Sequence, residues 1–365
     1  LAWLLGLLLS VSASAQQRPP QVWDPAHTDP QYEARKLQAV RPAGQPRAQA
    51  SAQQAPLARP ACFEPFDTTA AGGWTQVPRG DDTSFGPVSL GWDFLLFGAR
   101  YSSVYVNTNG NITFDAPLTT FSSAGFPVGT PMIAPFWADV DTRNAASGTV
   151  WFKVFADRLV VVWNRVGYFG RQADKKNTFQ LVIKANTATT FTGNDVLISY
   201  DDMQWTTGSA SQGVSGFGGV PATVGVNRGG TSGNYVQTGR FNLPTSQAPN
   251  QPNVGAPGGV DWLDAQCLGY QVRGTNGSSN IPPAVAGLPD GGAITVAQGE
   301  TRTVNLQFSG PETNQTVTVT SALNGLCNAT AVPTGNGGTN PTVVFTVTGS
   351  ACNVGTSTVT FTATD

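Results

Sequence analysis

Residues 103–114 read Ser-Val-Tyr-Val-Asn-Thr-Asn-Gly-Asn-Ile-Thr-Phe, two short alternating runs joined by Asn109 and Gly110. Alternation with a period of two sends successive side chains to opposite faces of a strand. An Asn-Gly pair supplies the positive φ of a type I′ turn, so a hairpin is predicted here. A second hairpin is predicted from 149–155 across Ala156-Asp157 into 158–163. The returning strand is an unbroken apolar run, the pattern of a strand buried on both faces. Further strands are expected at 178–185, 195–200, 223–226, 235–238 and 268–272. No stretch after Cys62 carries a sustained apolar stripe at helical spacing. With 42 Gly and 26 Pro to punctuate short strands, the expected fold class is all-β and sandwich-like.

The N-terminal part has a different character. Residues 1–9 read LAWLLGLLL and small residues follow to Ala15, which predicts a signal peptide over 1–15. It is too short to span a bilayer, and no later segment reaches the roughly 20 consecutive apolar residues that a span needs. The chain is therefore expected to be exported and not membrane-spanning in the region given. It lacks an initiator Met and stops inside a strand-like pattern, so both ends are expected to be truncated. Residues 16–60 are rich in Gln, Ala, Pro and Arg and poor in aromatic and β-branched residues. Such a segment cannot offset its ordering entropy and is read as a disordered linker. A short helix over 31–39 is compatible with the sequence. The basic residues Arg18, Arg35, Lys36, Arg41, Arg47 and Arg59 could touch an acidic surface, but a solvated tail is the leading reading.

Period-two patterning then marks one domain over 61–273, a Gly/Ser/Asn/Pro linker over 274–283, and a Thr/Val-alternating unit over 284–365. The last unit has about the size of one immunoglobulin-like β-sandwich, with its final strand expected to be incomplete. A net charge of -2 gives no electrostatic ground for a nucleic-acid partner. The four cysteines include no CxxC pair, and in an exported chain they are read as two disulfides. Three pairings are open. Cys62 with Cys267 and Cys327 with Cys352 is favoured because each bond then lies inside one unit.

Four blocks occur in order: FLLFGARYSSVYVNTNGNITF at 94–114, PMIAPFWADVD at 131–141, TFQLV at 178–182 and ISYDDMQW at 198–205. Together they resemble the NIDO domain, the extracellular domain of nidogen-type proteins, over about 62–273. The resemblance implies an extracellular module of basement-membrane, apical-matrix and bacterial surface proteins, associated with cell-matrix adhesion. It brings no catalytic residues to carry over. The EGF-like and other cysteine-rich modules that accompany the domain in animal proteins do not occur in this sequence.

The single histidine, His27, lies in the predicted linker, so Ser-His-Asp, Cys-His and His-ligated zinc chemistry are excluded from the predicted domains. No glutamate lies between Glu64 and Glu300, so a glycosidase pair would need Asp alone. Asp139 and Asp141, two apart beside Trp137, are expected to share a strand face and could join Asp201 or Asp202 in a calcium site. The competing reading, ranked ahead, pairs Asp139 or Asp141 with Arg143 or uses it to cap a turn. No other cofactor is expected. Trp74, Trp92, Trp137, Trp151, Trp163 and Trp205 could offer sugar-stacking platforms, but most are expected in the core. Asn111, Asn276, Asn314 and Asn328 stand in Asn-x-Ser/Thr acceptor triplets. The run GVSGFGG at 213–219 lacks the lysine and following helix of a phosphate-binding loop.

The function expected is a secreted or cell-surface, non-catalytic module that binds an extracellular matrix or cell-surface protein or glycan. The alternatives are a lectin-like carbohydrate-binding module or a structural protein of a surface layer or biofilm matrix.

Overall fold

The computed structural model describes residues 19–38, 59–60, 62–69, 72–186, 195–230, 234–249, 257–273, 278–280, 284–287, 294–309 and 316–364. The expected signal peptide, most of the 274–283 linker, Asn276 and Asn314 lie outside these residues.

Two eight-stranded sheets form the larger part. The first runs, in spatial order, Gln21–Trp23, Ser84–Leu96, Ala99–Asn107, Asn111–Thr113, Met132–Trp137, Ala222–Asn227, Tyr235–Leu243 and Gly258–Gly259. The second runs Ser278–Asn280, Cys267–Gln271, Val196–Asp202, Gln172–Lys184, Arg158–Tyr168, Thr149–Val154 and Thr75–Gln76, with Val140–Asp141 also paired to Arg158–Tyr168. One core joins inward residues of both, among them Val104, Ile112 and Phe136 from the first and Val161, Trp163, Leu181 and Ile198 from the second. The outer face of the second sheet is covered too: Phe63 packs with Val160, Val162 and Val182. Burial on both faces is why residues 159–163 are apolar without a break. The Cys62–Cys267 disulfide ties this cover to the strand Cys267–Gln271. Trp163 stacks on Phe179 at 4.9 Å and donates from Nε1 to the carbonyl of Thr108, 3.0 Å away.

Both expected hairpins form. The first pairs Asn107 with Asn111, so its loop is Thr108-Asn109-Gly110, one residue longer than a type I′ turn allows. Only Gly110 takes positive φ, at 72°. A Cβ there would lie 1.8 Å from the carbonyl oxygen of Phe136, so close approach and backbone conformation both require glycine. The 13-residue strand Ser84–Leu96 was not expected from the sequence. Gly86-Pro87 and Gly91 interrupt its alternation, and its register against Ala99–Asn107 shifts at those two places.

The C-terminal unit has a four-stranded sheet, ordered Ala284–Ala286, Thr301–Ser309, Thr342–Thr348, Ala329–Thr334, and a pair formed by Thr318–Ala322 and Thr360–Thr364. Leu306, Phe308, Val317, Val319 and Val343 form its small core, and Cys327 is bonded to Cys352.

The disordered-linker reading of 16–60 is corrected for residues 19–38. Gln21–Trp23 adds a strand to the edge of Ser84–Leu96, and Pro25–Thr28 and Tyr32–Gln38 are helical. Composition misled because the segment needs no apolar core of its own. It is held by one strand pairing, by Trp23 edge-on to Tyr105 at 5.5 Å, and by charge.

Candidate functional site

Three chain segments converge beside the Asn-Gly hairpin. Residues 77–83 lead into Ser84–Leu96, residues 108–110 are the turn, and Ala138 and Asp139 connect Met132–Trp137 to Val140–Asp141. A bridge pairs Asp81 with Asp141, and the Gly80 amide donates to Thr142 Oγ1 at 2.9 Å. Asn109 stitches the segments together. Its Nδ2 donates to Asp82 Oδ1 at 2.6 Å and its Oδ1 accepts the Val140 amide at 3.0 Å. Asp82 is held at φ 60°, a left-handed conformation that Asp tolerates better than most residues.

This frame gathers Asp81, Asp82 and Asp139 into a socket whose ligand oxygens all lie within 4.8 Å of one another, the one such group among the described residues. Lys36, from the helix Tyr32–Gln38, fills it and is only 4 % exposed. Its Nζ donates to Asp139 Oδ1 at 2.5 Å, Asp82 Oδ2 at 2.9 Å and Asp81 Oδ1 at 3.2 Å. The rings of Phe121 and Phe169 face the same ammonium at 4.2 and 4.3 Å. Arg143 forms a second layer. Its Nε donates to Asp141 Oδ1 at 2.9 Å, it reaches Asp81 at 3.2 Å, and it bonds Glu33 of the docked helix.

One ammonium faces three carboxylates, and burial decides their protonation. Desolvation outweighs the pull of Lys36 and lifts Asp139 to about 8, with Asp81 and Asp141 adding repulsion. Asp81 rises to about 6 for the same first reason, against Lys36, and Asp82 is pushed well above the ordinary carboxylate range by burial and then by Asp139. Burial opposes the Arg143 charge, yet Asp141 and Asp81 more than compensate and raise its pKa. The raised carboxyls favour the protonated folded state. Their contribution is complete below the unfolded value near ~4 and is lost as pH rises through about 6 for Asp81 and about 8 for Asp139. The urea midpoint is therefore expected to fall between about pH 5 and pH 9 by more in the native sequence than in Asp139→Asn. Equal slopes would show that Asp139 does not titrate in this window.

The four carboxylates expected to share a calcium site do not meet. Asp139 lies in a bend between strands and joins Asp81 and Asp82, while Asp141 pairs with Arg143. Asp201 accepts from Arg59 at 2.7 Å, and Asp202 accepts from Gln204 at 2.6 Å. The shared-face expectation failed because only Asp141 is on a strand. The socket is also poorly matched to calcium, which takes six to eight oxygens. Two aromatic faces and three carboxylates suit an organic ammonium. Trp137, Trp163 and Trp205 are buried, so none is a sugar platform, and Trp74, Trp92 and Trp151 are half-buried. Asn111 is buried and its Oδ1 accepts from Asn107 at 2.7 Å, which removes it as a glycan acceptor in the folded chain, whereas Asn328 is exposed. Sequence reasoning missed Asp81 and Asp82. The available signal was an adjacent acidic pair and a Tyr32/Lys36 spacing of one helical turn.

Two β-sheets around one core, with loops that bury an acidic socket, define an all-β module. The NIDO-related family model matches residues 60–255, and the chain belongs to that family. Alpha-tectorin is 33 % identical over 210 residues in both mouse and human, covering 49 % of this chain and 9 % of either tectorin. Nidogen of Drosophila melanogaster is 27 % identical over 153 residues, covering 34 % of this chain and 11 % of that protein. The matches thus span a small part of these relatives. No solved structure matches at a significant level. The family places the chain among secreted or cell-surface proteins of the matrix and adhesion kind. Among the described residues no helix is long and apolar enough to cross a membrane.

Proposed function

We propose that the chain is a non-catalytic binding module whose two-sheet domain presents its loops to an extracellular matrix or cell-surface partner, with the C-terminal sheets as spacer. The observation that carries this reading is the fate of the three perturbed carboxyls gathered in the socket. Strongly shifted acids in a cleft are the usual mark of catalysis, but here Lys36, Phe121 and Phe169 cover Asp81, Asp82 and Asp139 and leave a substrate no approach. The single histidine, His27, is on the short helix Pro25–Thr28, where its backbone amide donates to Asp24. Binding is then a matter of surface complementarity.

The test is binding of the full chain to immobilised matrix preparations before and after enzymatic deglycosylation. Saturable binding that survives deglycosylation is the expected result and indicates a protein partner. Loss on deglycosylation would transfer the assignment to the lectin-like reading. No binding to either would remove the matrix partner altogether.

A further inference from the structure

The lysine that fills the socket arrives on a segment whose covalent link to the domain is residues 39–58. Its contacts fall on one composite surface. Gln21–Trp23 pairs antiparallel with the outer edge of Ser84–Leu96, in the register Gln21↔Gly86, Val22↔Phe85, Trp23↔Ser84. Further along, Glu33 meets Arg143 and Lys36 enters the socket, so charge is complementary in both directions. Strand addition supplies backbone hydrogen bonds open to any extended chain, and the lysine at a fixed spacing supplies selection. A vacated site is unfavourable on two counts. It bares a sheet edge, which invites pairing with another chain, and it leaves buried carboxylates without their cation.

We propose that this surface also takes the N-terminal segment of a second copy of the chain, so that molecules are joined through exchanged segments. Exchange preserves every contact of the closed form and changes only which chain supplies them, the low-cost route by which identical elements swap. The second copy is the occupant the site favours, because it alone brings this strand, Glu33 and Lys36 at the spacing already seated there. A connector of the length of residues 39–58 reaches at most about 70 Å. Such a link holds a chain's own segment at an effective concentration on the order of millimolar. Exchange therefore competes where molecules are packed to a similar density.

Trp23 and Ser84 are directly opposed across the strand pair, so the full chain carrying Trp23→Cys and Ser84→Cys reports which molecule donates the segment. Oxidation at about 1 µM should give the engineered bond within single chains, and oxidation near ~1 mM should give bonded dimers and larger species. Adding Lys36→Met should abolish the dimers, whereas random collision would leave them unchanged. An engineered bond confined to single chains at both concentrations overturns the proposal. A second measurement serves if the cysteine variant does not fold. Light scattering of the unaltered chain should show association at high concentration that Lys36→Met removes, and a monomer throughout overturns the proposal equally.

Discussion

Lys36→Met is expected to release the N-terminal segment. Removing one partner from a buried ion pair costs about 3–5 kcal/mol, because the opposite charge is left uncompensated. If that loss falls on docking, protease cleavage within residues 19–38 should rise by about a hundredfold to a few thousandfold near neutral pH. The increase should shrink at about pH 5, where Asp81 joins Asp139 in the protonated form and the socket needs the ammonium less. Adding Asp81→Asn to Lys36→Met should restore part of the protection near neutral pH, since Asp81, raised only to about 6, is ionised there and is stranded without the ammonium. An n-butylammonium salt should restore part of it too, while calcium should not, because aromatic faces stabilise an organic cation and offer no oxygen ligand. A cleavage rate within twofold of the native chain would mean that Lys36 does not hold the segment.

Replacing Cys62 and Cys267 together by serine is expected to cost about 5 kcal/mol in the chain-entropy account. The bond joins residues 205 apart, so the loop it closes in the unfolded chain is long. The matching change at Cys327 and Cys352, 25 apart, is expected to cost about 3–4 kcal/mol, and it should act on the C-terminal sheets alone. Urea titration of both double variants measures the difference. The first substitution should also loosen Phe63 and Phe66 from the outer face of the second sheet, since the bond pins that cover. An equal and small effect of both would show that the covers, and not the bonds, hold the chain ends.

The β-architecture was legible because period-two patterning is local. Both hairpins and most strands of the second sheet could be read directly, and the unbroken run over 159–163 announced two buried faces before any cover was known. Ser84–Leu96 could not be read, because its glycines and proline break the pattern at bulges that only a neighbouring strand defines. The socket was hidden for a different reason. Asp139 was singled out, but its companions come from residues 81 and 82 and its counter-ion from residue 36, and no local pattern connects them. Composition made the N-terminal segment look unable to order itself. That inference holds for a segment folding on its own core, but not for one whose lysine and strand are completed by another part of the chain. The contact between basic residues of this segment and acidic groups of the domain was the weaker of two readings, and Lys36 in the socket and Arg59 on Asp201 are instances of it.

Lys36 and Asp139 are 103 residues apart, and the lysine comes first. A growing chain therefore exposes the segment long before the bend that receives it has been made. At roughly 5–20 residues per second the interval is several seconds, and a hairpin needs only microseconds once its residues have emerged. The Asn109-Gly110 turn, which positions Asp82 and Val140, can thus assemble the receiving frame while the earlier segment waits. Order of synthesis and order of docking are reversed, and during the wait the first part of one nascent chain lies open to a neighbouring chain that has already finished.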